Sequence, residues 1–245
     1  MRILGVIPAR FASTRFPGKP LADIAGKSMI QRVYEQCLKS SALTRLVVAT
    51  DDDKIAGHVG EFGEFVMTAS SHPSGTDRCR EAMLLSGESF DYVINIQGDE
   101  PFINPSQIDL LAGLLNGQTE LATLSKKIED ERQINDPNVV KVVKDMNGDA
   151  LYFSRHAIPY HRGSADKPDV GLLPYFKHIG IYAYRSDVLE RITQLPVSQL
   201  ERAESLEQLR WLENGFRIKV AVTELETQGI DTPEDLERVL QTLNK

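Results

Sequence analysis

The sequence predicts an α/β fold with a mostly parallel sheet, because short apolar runs alternate with helical patterns through its first half. The apolar runs have the length of buried strands and lie at residues 3–7, 46–49, 64–68 and 92–96. Helical patterns lie at residues 29–38, 55–62, 74–85 and 108–115. Ser74 is a candidate N-cap for the third helix. Strands separated by helices at this rhythm predict βαβ units, and therefore a Rossmann-like core.

After about residue 125 the pattern becomes β-rich. Two strand-like runs, Val139–Lys144 and Ala150–Ser154, flank Asn147-Gly148, which predicts a hairpin. The other elements predicted here are a polar loop at 156–175, a strand at 176–184, a helix at 200–213, a strand at 217–222 and a helix at 233–243 that Thr232 caps. We therefore expect a core formed by residues 1–125 and 205–245, with residues 126–204 as a smaller β-rich insertion.

Composition and charge exclude several classes of protein. The 245 residues carry a net charge of -7, and a protein that binds nucleic acid needs a basic surface, so nucleic acid is not an expected partner. The apolar run at the N-terminus ends at Pro8, too early for a signal peptide or a membrane span. We expect no membrane partner and a cytoplasmic location. Cys37 and Cys79 are predicted to be buried, reduced thiols.

The loop after the first strand carries a cluster of cations. Its sequence at residues 8–20 is PARFASTRFPGKP, which places Arg10, Arg15 and Lys19 within ten residues. Open α/β sheets bind ligands at the carboxyl ends of their strands, and a mixture of arginine and lysine suits a polyphosphate. The alternative is a solvated basic loop.

Two common nucleotide-binding motifs are missing from the sequence. The Rossmann fingerprint G-x-G-x-x-G does not occur. Gly26-Lys27-Ser28 could end a Walker motif, but Leu21 stands where that motif needs glycine. A P-loop kinase, a GTPase and a dinucleotide dehydrogenase are therefore disfavoured.

Two aspartates are candidate magnesium ligands. Asp99 follows a buried strand beside Gly98, where a carboxylate can hold Mg²⁺ against phosphate oxygens. Asp231 is the second candidate, although the sequence Asp-Thr-Pro-Glu-Asp equally indicates the start of a helix. Asp51–Asp53 could form a metal site, but a solvated loop is the favoured interpretation.

The histidines give a weaker signal. His156 and His161 flank Pro159, which breaks helical pairing and disfavours a zinc site. His178 could line a polar pocket or be a structural histidine. Tyr182 lies four residues further along the same predicted strand, and should share its face.

Seven segments together resemble the 3-deoxy-manno-octulosonate cytidylyltransferases, also called CMP-Kdo synthetases. In order along the chain they are PARFASTRFPGKPL, SGTDR, NIQGDEP, ALYFSR, HIGIYAYR, LEQLR and DTPEDLERV. The resemblance runs from Ile3 to about Val239. It implies a fold of the nucleotide-diphospho-sugar transferase type, and transfer from CTP to the sugar acid Kdo with release of pyrophosphate. It also implies Mg²⁺, a homodimer and a role in lipopolysaccharide synthesis. Residues 1–125 and 205–245 would then form the nucleotide-binding core, and residues 126–204 the sugar-binding and dimerisation subdomain.

The resemblance assigns roles residue by residue. It implies that the triphosphate is held by Arg10, Ser13, Arg15 and Lys19. The cytidine would contact Pro8, Ala9, Ser74, Gly75 and Arg78, and Asp99 and Asp231 would bind magnesium. The sugar acid would contact Gln97, Arg155, Arg162, His178, Tyr182, Glu207 and Gln208, with Arg155 or Arg162 as a fork for its carboxylate.

Three other functions stay open at this level. The acceptor could be an amino-substituted Kdo, or the enzyme could resemble a CMP-sialic acid synthetase. A non-catalytic nucleotide-sugar sensor would keep the fold but would not need both Asp99 and Asp231. The segment Gly163–Tyr175 departs from the family pattern, which leaves its geometry open.

Overall fold

The chain folds into alternating strands and helices. A computed structural model describes residues 1–12, 16–162, 174–226 and 229–243. Its strands are β1 (Ile3–Ala9), β2 (Asp23–Ile24), β3 (Lys27–Ser28), β4 (Arg45–Thr50), β5 (Phe65–Met67), β6 (Tyr92–Asn95), β7 (Leu121–Lys127), β8 (Lys141–Lys144), β9 (Ala150–Ser154), β10 (Phe176–Arg185) and β11 (Ile218–Val222). Its α-helices are α1 (Met29–Cys37), α2 (Asp53–Val59), α3 (Gly75–Leu85), α4 (Pro105–Ala112), α5 (Ser186–Ile192), α6 (Gln199–Glu204), α7 (Gln208–Glu213) and α8 (Pro233–Leu243). The predicted α/β fold is confirmed.

The chain divides into two compact units. The first, here called unit 1, is Met1–Ala112 with Thr227–Lys245, and the second, unit 2, is Gly113–Glu226. These boundaries differ from the predicted 125 and 204, since β11 pairs with β7 and therefore belongs to the same unit as β7. The assignment of nucleotide and sugar binding to the two predicted regions stays a prediction.

Unit 1 contains a parallel sheet in the order β6-β1-β4-β5. Val6 in β1 lies opposite Val47 in β4 and Asn95 in β6. Parallel strands place their carboxyl ends at one edge of the sheet. The loops that follow β1 and β6 therefore begin at the same edge, and these two loops carry the predicted phosphate residues and Asp99.

The last helix returns to unit 1 through an apolar cluster. Ile24, Met29 and Ile230 are fully buried together, and Val239 of α8 packs with them. Each fully buried side chain of this size stabilises the fold by about 1.5–3 kcal/mol relative to exposure. This packing fixes the segment before α8, which carries Asp231.

Unit 2 is built on β7, with β11 parallel to it on one side and β10 antiparallel on the other. The predicted hairpin is confirmed as β8 and β9, with Gly148 at a φ of 81° in the turn. The predicted helix over 200–213 is wrong, because Ser205 adopts a left-handed backbone with φ 53° and separates α6 from α7. Strand β7 and helix α5 were not predicted.

The structure also describes the thiols and the length of the helices. Cys37 and Cys79 are buried free cysteines. Across the described parts of the chain, no helix combines the length and the apolar character that a membrane span needs.

Candidate active site

Lys19 joins the two predicted magnesium ligands. Its Nζ donates to Asp99 Oδ2 at 2.8 Å and to Asp231 Oδ1 at 3.2 Å. The two carboxylate oxygens are therefore no more than about 6 Å apart, the sum of these distances. Asp99 and Asp231 are separated by 132 positions in the sequence. The fold of unit 1 brings both carboxylates to the ammonium group of Lys19.

The backbone explains why the two aspartates meet. Ile230 N–H donates to the Asp99 carbonyl at 2.9 Å, so the chain before α8 is tied to the loop after β6. Gly98 lies close to β1, since a Cβ atom there would be 2.8 Å from the Pro8 carbonyl oxygen. A side chain at this position would push the two loops apart.

Asp231 does not cap the last helix. Thr232 Oγ1 accepts from Asp235 N–H at 3.2 Å, and Asp235 Oδ2 accepts from Thr232 N–H at 2.9 Å. This reciprocal pair satisfies the free N–H groups at the start of α8, as a capping box does. The predicted cap at Thr232 is confirmed, and the Asp231 carboxylate is turned toward Lys19 instead.

The residues fit a magnesium ion bound together with a nucleotide. Mg²⁺ is usually held by one or two carboxylates, with phosphate oxygens and water completing its octahedron. Asp99 and Asp231 supply two converging carboxylates that are 29% and 48% exposed, so both are accessible. Within the described ranges, no set of three His, Cys, Asp or Glu side chains comes together as a metal cage.

The rest of the cationic loop is partly described. Arg10 follows β1, and its Nη2 donates to the His72 carbonyl at 2.8 Å. Pro8 and Ala9 form the end of β1, where Ala9 is buried. Gly18 has a φ of 71° and turns the chain into Lys19. Ser13 and Arg15 lie outside the described residues.

Helix α3 begins at the predicted cytidine residues. Ser74 is its N-cap and accepts from Asp77 N–H at 3.2 Å, which confirms the predicted cap. Gly75 lies beside Pro8 and Asn95, and a Cβ atom there would be 3.6 Å from a side-chain atom of each.

Arg78 is fully buried in unit 1. Its Nη1 donates to Thr68 Oγ1 at 2.5 Å, and its Nη2 lies 3.3 Å from Asp51 Oδ1. Burial lowers the pKa of the Arg78 guanidinium, and Asp51 opposes that shift. Nε and Nη2 of Arg78 have no hydrogen-bond partner among the described residues. Buried donors of this kind are costly unless a ligand or water satisfies them.

The Asp51–Asp53 segment has a structural role. Asp52 caps α2 by accepting from Lys54 N–H and Ile55 N–H at 2.9 and 3.1 Å. Asp51 faces Arg78 and is only 20% exposed. The favoured prediction of a solvated loop is therefore wrong for Asp51, which neutralises a buried cation.

His178 is a partly buried imidazole in unit 2. Its Nε2 lies 3.0 Å from Thr123 Oγ1, and Thr123 Oγ1 donates to the Ile181 carbonyl at 2.7 Å. Burial lowers the pKa of His178 to about 3, so the ring is uncharged at neutral pH. It can offer a sugar acid a neutral hydrogen bond but no positive charge.

Tyr182 shares an aromatic cluster with His178, as predicted from their spacing. The ring centroids of His178 and Tyr182 are 5.2 Å apart, and Trp211 of α7 lies 5.2 Å from Tyr182. Tyr182 Oη and Trp211 Nε1 are buried and lack a hydrogen-bond partner within the described parts of unit 2. Burial raises the pKa of Tyr182, with Tyr184 and Glu207 adding to the shift. Glu207 is partly buried and Gln208, at the start of α7, is buried.

Arg155 is held by backbone carbonyls. Its Nε donates to the Glu204 carbonyl at 2.7 Å and its Nη1 to the Pro137 carbonyl at 2.9 Å. The buried Lys141 ammonium in turn donates to the Arg155 carbonyl at 2.7 Å. Arg162 is exposed, and Gln97 is partly buried in the loop after β6. Arg162 is therefore the more accessible of the two candidate carboxylate forks.

Some residues around these sites were not predicted. Trp211 is the single tryptophan, and it lies three residues after Gln208, so helical spacing could have placed both on one face. No spacing rule identifies the other three residues, Thr123, Lys141 and Asp235. Thr123 and Lys141 contact residues distant in the sequence, and Asp235 takes part in the cap of α8.

Comparisons with known proteins show which family the chain belongs to. The sequence model of a family described as cytidylyltransferase matches residues 4–220. The 3-deoxy-manno-octulosonate cytidylyltransferase of Cytophaga hutchinsonii is 59% identical over 242 residues, covering 98% of this chain and 97% of that relative. The relative of the same description from Parabacteroides distasonis is 54% identical over 249 residues, covering 99% and 98%.

A solved structure extends the likeness to the fold. It is described as CMP:2-keto-3-deoxy-manno-octonic acid synthetase complexed with CTP, with a TM-score of 0.91 and 43% identity over 100% of this chain and 99% of that one. The fold and the site define an α/β enzyme of the nucleotidyltransferase class. Within that class, the chain belongs to the 3-deoxy-manno-octulosonate cytidylyltransferase family.

Proposed function

We propose that this enzyme transfers the cytidylyl group of CTP to Kdo, giving CMP-Kdo and pyrophosphate for lipopolysaccharide synthesis. The observation that carries the proposal is the meeting of Lys19, Asp99 and Asp231 at the edge of the unit 1 sheet. A cation beside two carboxylates matches what a metal-bound triphosphate needs, since the lysine can neutralise phosphate charge while the carboxylates bind the metal.

The reaction is a displacement at phosphorus. The anomeric 2-hydroxyl of the sugar acid attacks the α-phosphorus of CTP in line and loses its proton to solvent. The bond between the α-phosphorus and the oxygen that bridges to the β-phosphate breaks, and pyrophosphate leaves with that oxygen and the bonding electrons. Such transfers depend on positioning and on stabilisation of charge rather than on a covalent enzyme intermediate. Mg²⁺, which we propose is held by Asp99 and Asp231, would supply charge neutralisation at the phosphates.

On the nucleotide side, the proposed roles follow from charge and burial. Lys19, Arg10 and Arg15 neutralise the triphosphate and the leaving pyrophosphate. Ser74 and Gly75 leave backbone near the end of β1 for the cytidine. Arg78 offers two buried donors, Nε and Nη2, that have no described hydrogen-bond partner, although Nη2 also lies 3.3 Å from Asp51 Oδ1. Cytosine presents two acceptors, O2 and N3, which guanidinium donors suit.

For the acceptor, we propose Gln97, Arg155, Arg162, His178, Tyr182, Glu207 and Gln208 as ligands. His178 serves as an uncharged hydrogen-bonding group because burial keeps its pKa at about 3. Tyr182 Oη is a buried hydroxyl with no described partner, which a sugar hydroxyl would satisfy. Arg162 is exposed and available for the acceptor's carboxylate.

We further propose that the enzyme works in the cytoplasm as a homodimer. The β8–β9 hairpin supports this, because Met146 at its tip is fully exposed and Leu151 is 62% exposed. Contiguous exposed apolar surface is typical of an interaction site, and these two side chains belong to one hairpin. Sedimentation at micromolar concentration should give a dimer, and a monomer would contradict this part of the proposal.

The substrate assignment is tested by pyrophosphate release. The enzyme is assayed with Mg²⁺ and Kdo against CTP, UTP, ATP and GTP, and then with CTP against Kdo, 8-amino-substituted Kdo and sialic acid. CTP with Kdo should give the highest kcat/KM. Comparable turnover with UTP, or a higher kcat/KM for another sugar acid, would overturn the assignment.

A further inference from the structure

A carboxylate on α3 anchors the loop between β5 and α3. Glu81 Oε2 accepts from Ala69 N–H at 2.7 Å and lies 2.5 Å from His72 Nε2. An ionised carboxylate only accepts hydrogen bonds, so the proton between them belongs to His72 Nε2. The hydrogen bond from His72 is the main cause that lowers the pKa of Glu81. One carboxylate oxygen thus fixes both ends of the Ala69–His72 turn.

The same turn holds Arg10. The His72 carbonyl accepts from Arg10 Nη2 at 2.8 Å, so a continuous chain of contacts runs from Glu81 through His72 to Arg10. All three residues belong to unit 1. An arginine side chain loses conformational freedom when a ligand immobilises it, and a contact that holds it beforehand reduces that loss.

We propose that Glu81 and His72 are positioning residues that set the Arg10 guanidinium for the triphosphate. The inference rests on the proposed function, in which Arg10 binds the triphosphate. Neither His72 nor Glu81 belongs to the sequence segments that carry the family resemblance. Their contribution is visible only in the contacts that connect α3 to the loop after β1.

A second histidine–glutamate pair in unit 1 provides a matched control. His58 and Glu61 approach at 3.7 Å, and the His58 ring contacts Ser28 Oγ at 2.8 Å. Glu61 is 75% exposed. The described contacts of this pair do not include Arg10, so Glu61→Ala removes a similar ion pair without the proposed effect.

The experiment compares four variants: Glu81→Ala, Arg10→Met, their double variant and Glu61→Ala. Alanine is the best helix former, so α3 should persist in Glu81→Ala. We expect Glu81→Ala to raise KM for CTP roughly 3- to 10-fold, the effect of freeing one long side chain. KM for the sugar acid and kcat should stay near their original values, and Glu61→Ala should behave as the unmodified enzyme. Glu81→Gln, which keeps an acceptor oxygen, should recover most of the affinity.

The double variant distinguishes positioning from general stability. If Glu81 acts through Arg10, then Glu81→Ala adds little to Arg10→Met, because the two changes remove one interaction. Additive effects, or a KM for CTP unchanged in Glu81→Ala, would overturn the inference even if Arg10→Met is impaired. An Arg10→Met variant with unchanged KM for CTP would instead refute the proposed role of Arg10, and this inference with it. Should Glu81→Ala fail to fold, His72→Ala carries the same cycle with Arg10→Met.

Discussion

Replacing Asp231 by asparagine separates a metal-binding role from a structural one. The change removes one negative charge and keeps the shape of the side chain. In the folded enzyme Asp231 pairs with Lys19 at 3.2 Å, and the aspartate is 48% exposed. Solvent screening at such exposure limits an ion pair to about 0.2–1 kcal/mol. For a protein of this size, we therefore expect the melting temperature to fall by less than about 4 °C.

The expected effect on catalysis is much larger. If Asp231 helps to hold Mg²⁺ against the phosphates, its loss weakens stabilisation of charge in the transition state. Removing one such preorganised group typically lowers kcat by about 10²- to 10³-fold. Asp99→Asn should do the same, and the double variant should be little worse than either, since groups that act as a unit are not additive.

Thr232→Ala is the matched control for Asp231→Asn. Thr232 Oγ1 caps α8 through Asp235 N–H, so its loss should cost about 1 kcal/mol of stability. Its turnover and magnesium dependence should stay close to those of the unmodified enzyme. Melting curves and kcat/KM across a magnesium titration measure both properties on all variants. The reasoning would be refuted by an Asp231→Asn variant that melts lower but keeps its turnover and its magnesium requirement.

Three further predictions follow from the site. Lys19→Ala and Arg15→Ala should each raise KM for CTP or lower kcat without unfolding the chain, because neither substitution removes an apolar side chain; unchanged kcat/KM in either would exclude a phosphate role for that residue. Gly98→Ala should lower kcat at least about 10-fold, since its Cβ would lie 2.8 Å from the Pro8 carbonyl oxygen and displace Asp99. Unaltered kinetics would show that the loops after β1 and β6 can move to accommodate the added methyl group. His178 has a folded pKa near 3, below its unfolded value, so the unfolded chain binds more protons between pH 3 and 6.5. The contribution of His178 to the free energy of unfolding should therefore be fully present above pH 6.5. Below pH 6.5 it should decrease by up to about 1.4 kcal/mol per pH unit. Acid melting curves of His178→Gln should show a smaller decrease.

Much of the fold of unit 1 could be predicted from sequence because β1, β4 and β6 are buried on both faces. Uninterrupted apolar runs such as Ile3–Ile7 mark such strands clearly. Strand β7 was missed because its sequence LATLSKK contains Thr123 and Ser125, which are buried and polar. The break at Ser205 was missed because no glycine or proline marks it.

The individual site residues were easier to predict than their geometry. Local motifs and family resemblance singled out Lys19, Asp99 and Asp231. Lys19 contacts both aspartates because α8 packs on an apolar cluster and because the Ile230 N–H donates a hydrogen bond to the Asp99 carbonyl. Both are contacts between residues far apart in the sequence. The contact between His72 and Glu81 likewise depends on how a loop folds against a helix, and no spacing rule identifies it.

In the proposed reaction the enzyme joins the cytidylyl group of CTP to the anomeric oxygen of Kdo. Phosphorus NMR and mass spectrometry of a reaction with CTP, Kdo and Mg²⁺ identify the product of this step. We expect one phosphodiester product with the mass of CMP-Kdo, formed in equal amount with pyrophosphate and about 10²- to 10³-fold more slowly when Asp99→Asn replaces the active enzyme. Pyrophosphate accompanied only by free CMP, or no consumption of CTP in the presence of Kdo, would contradict it.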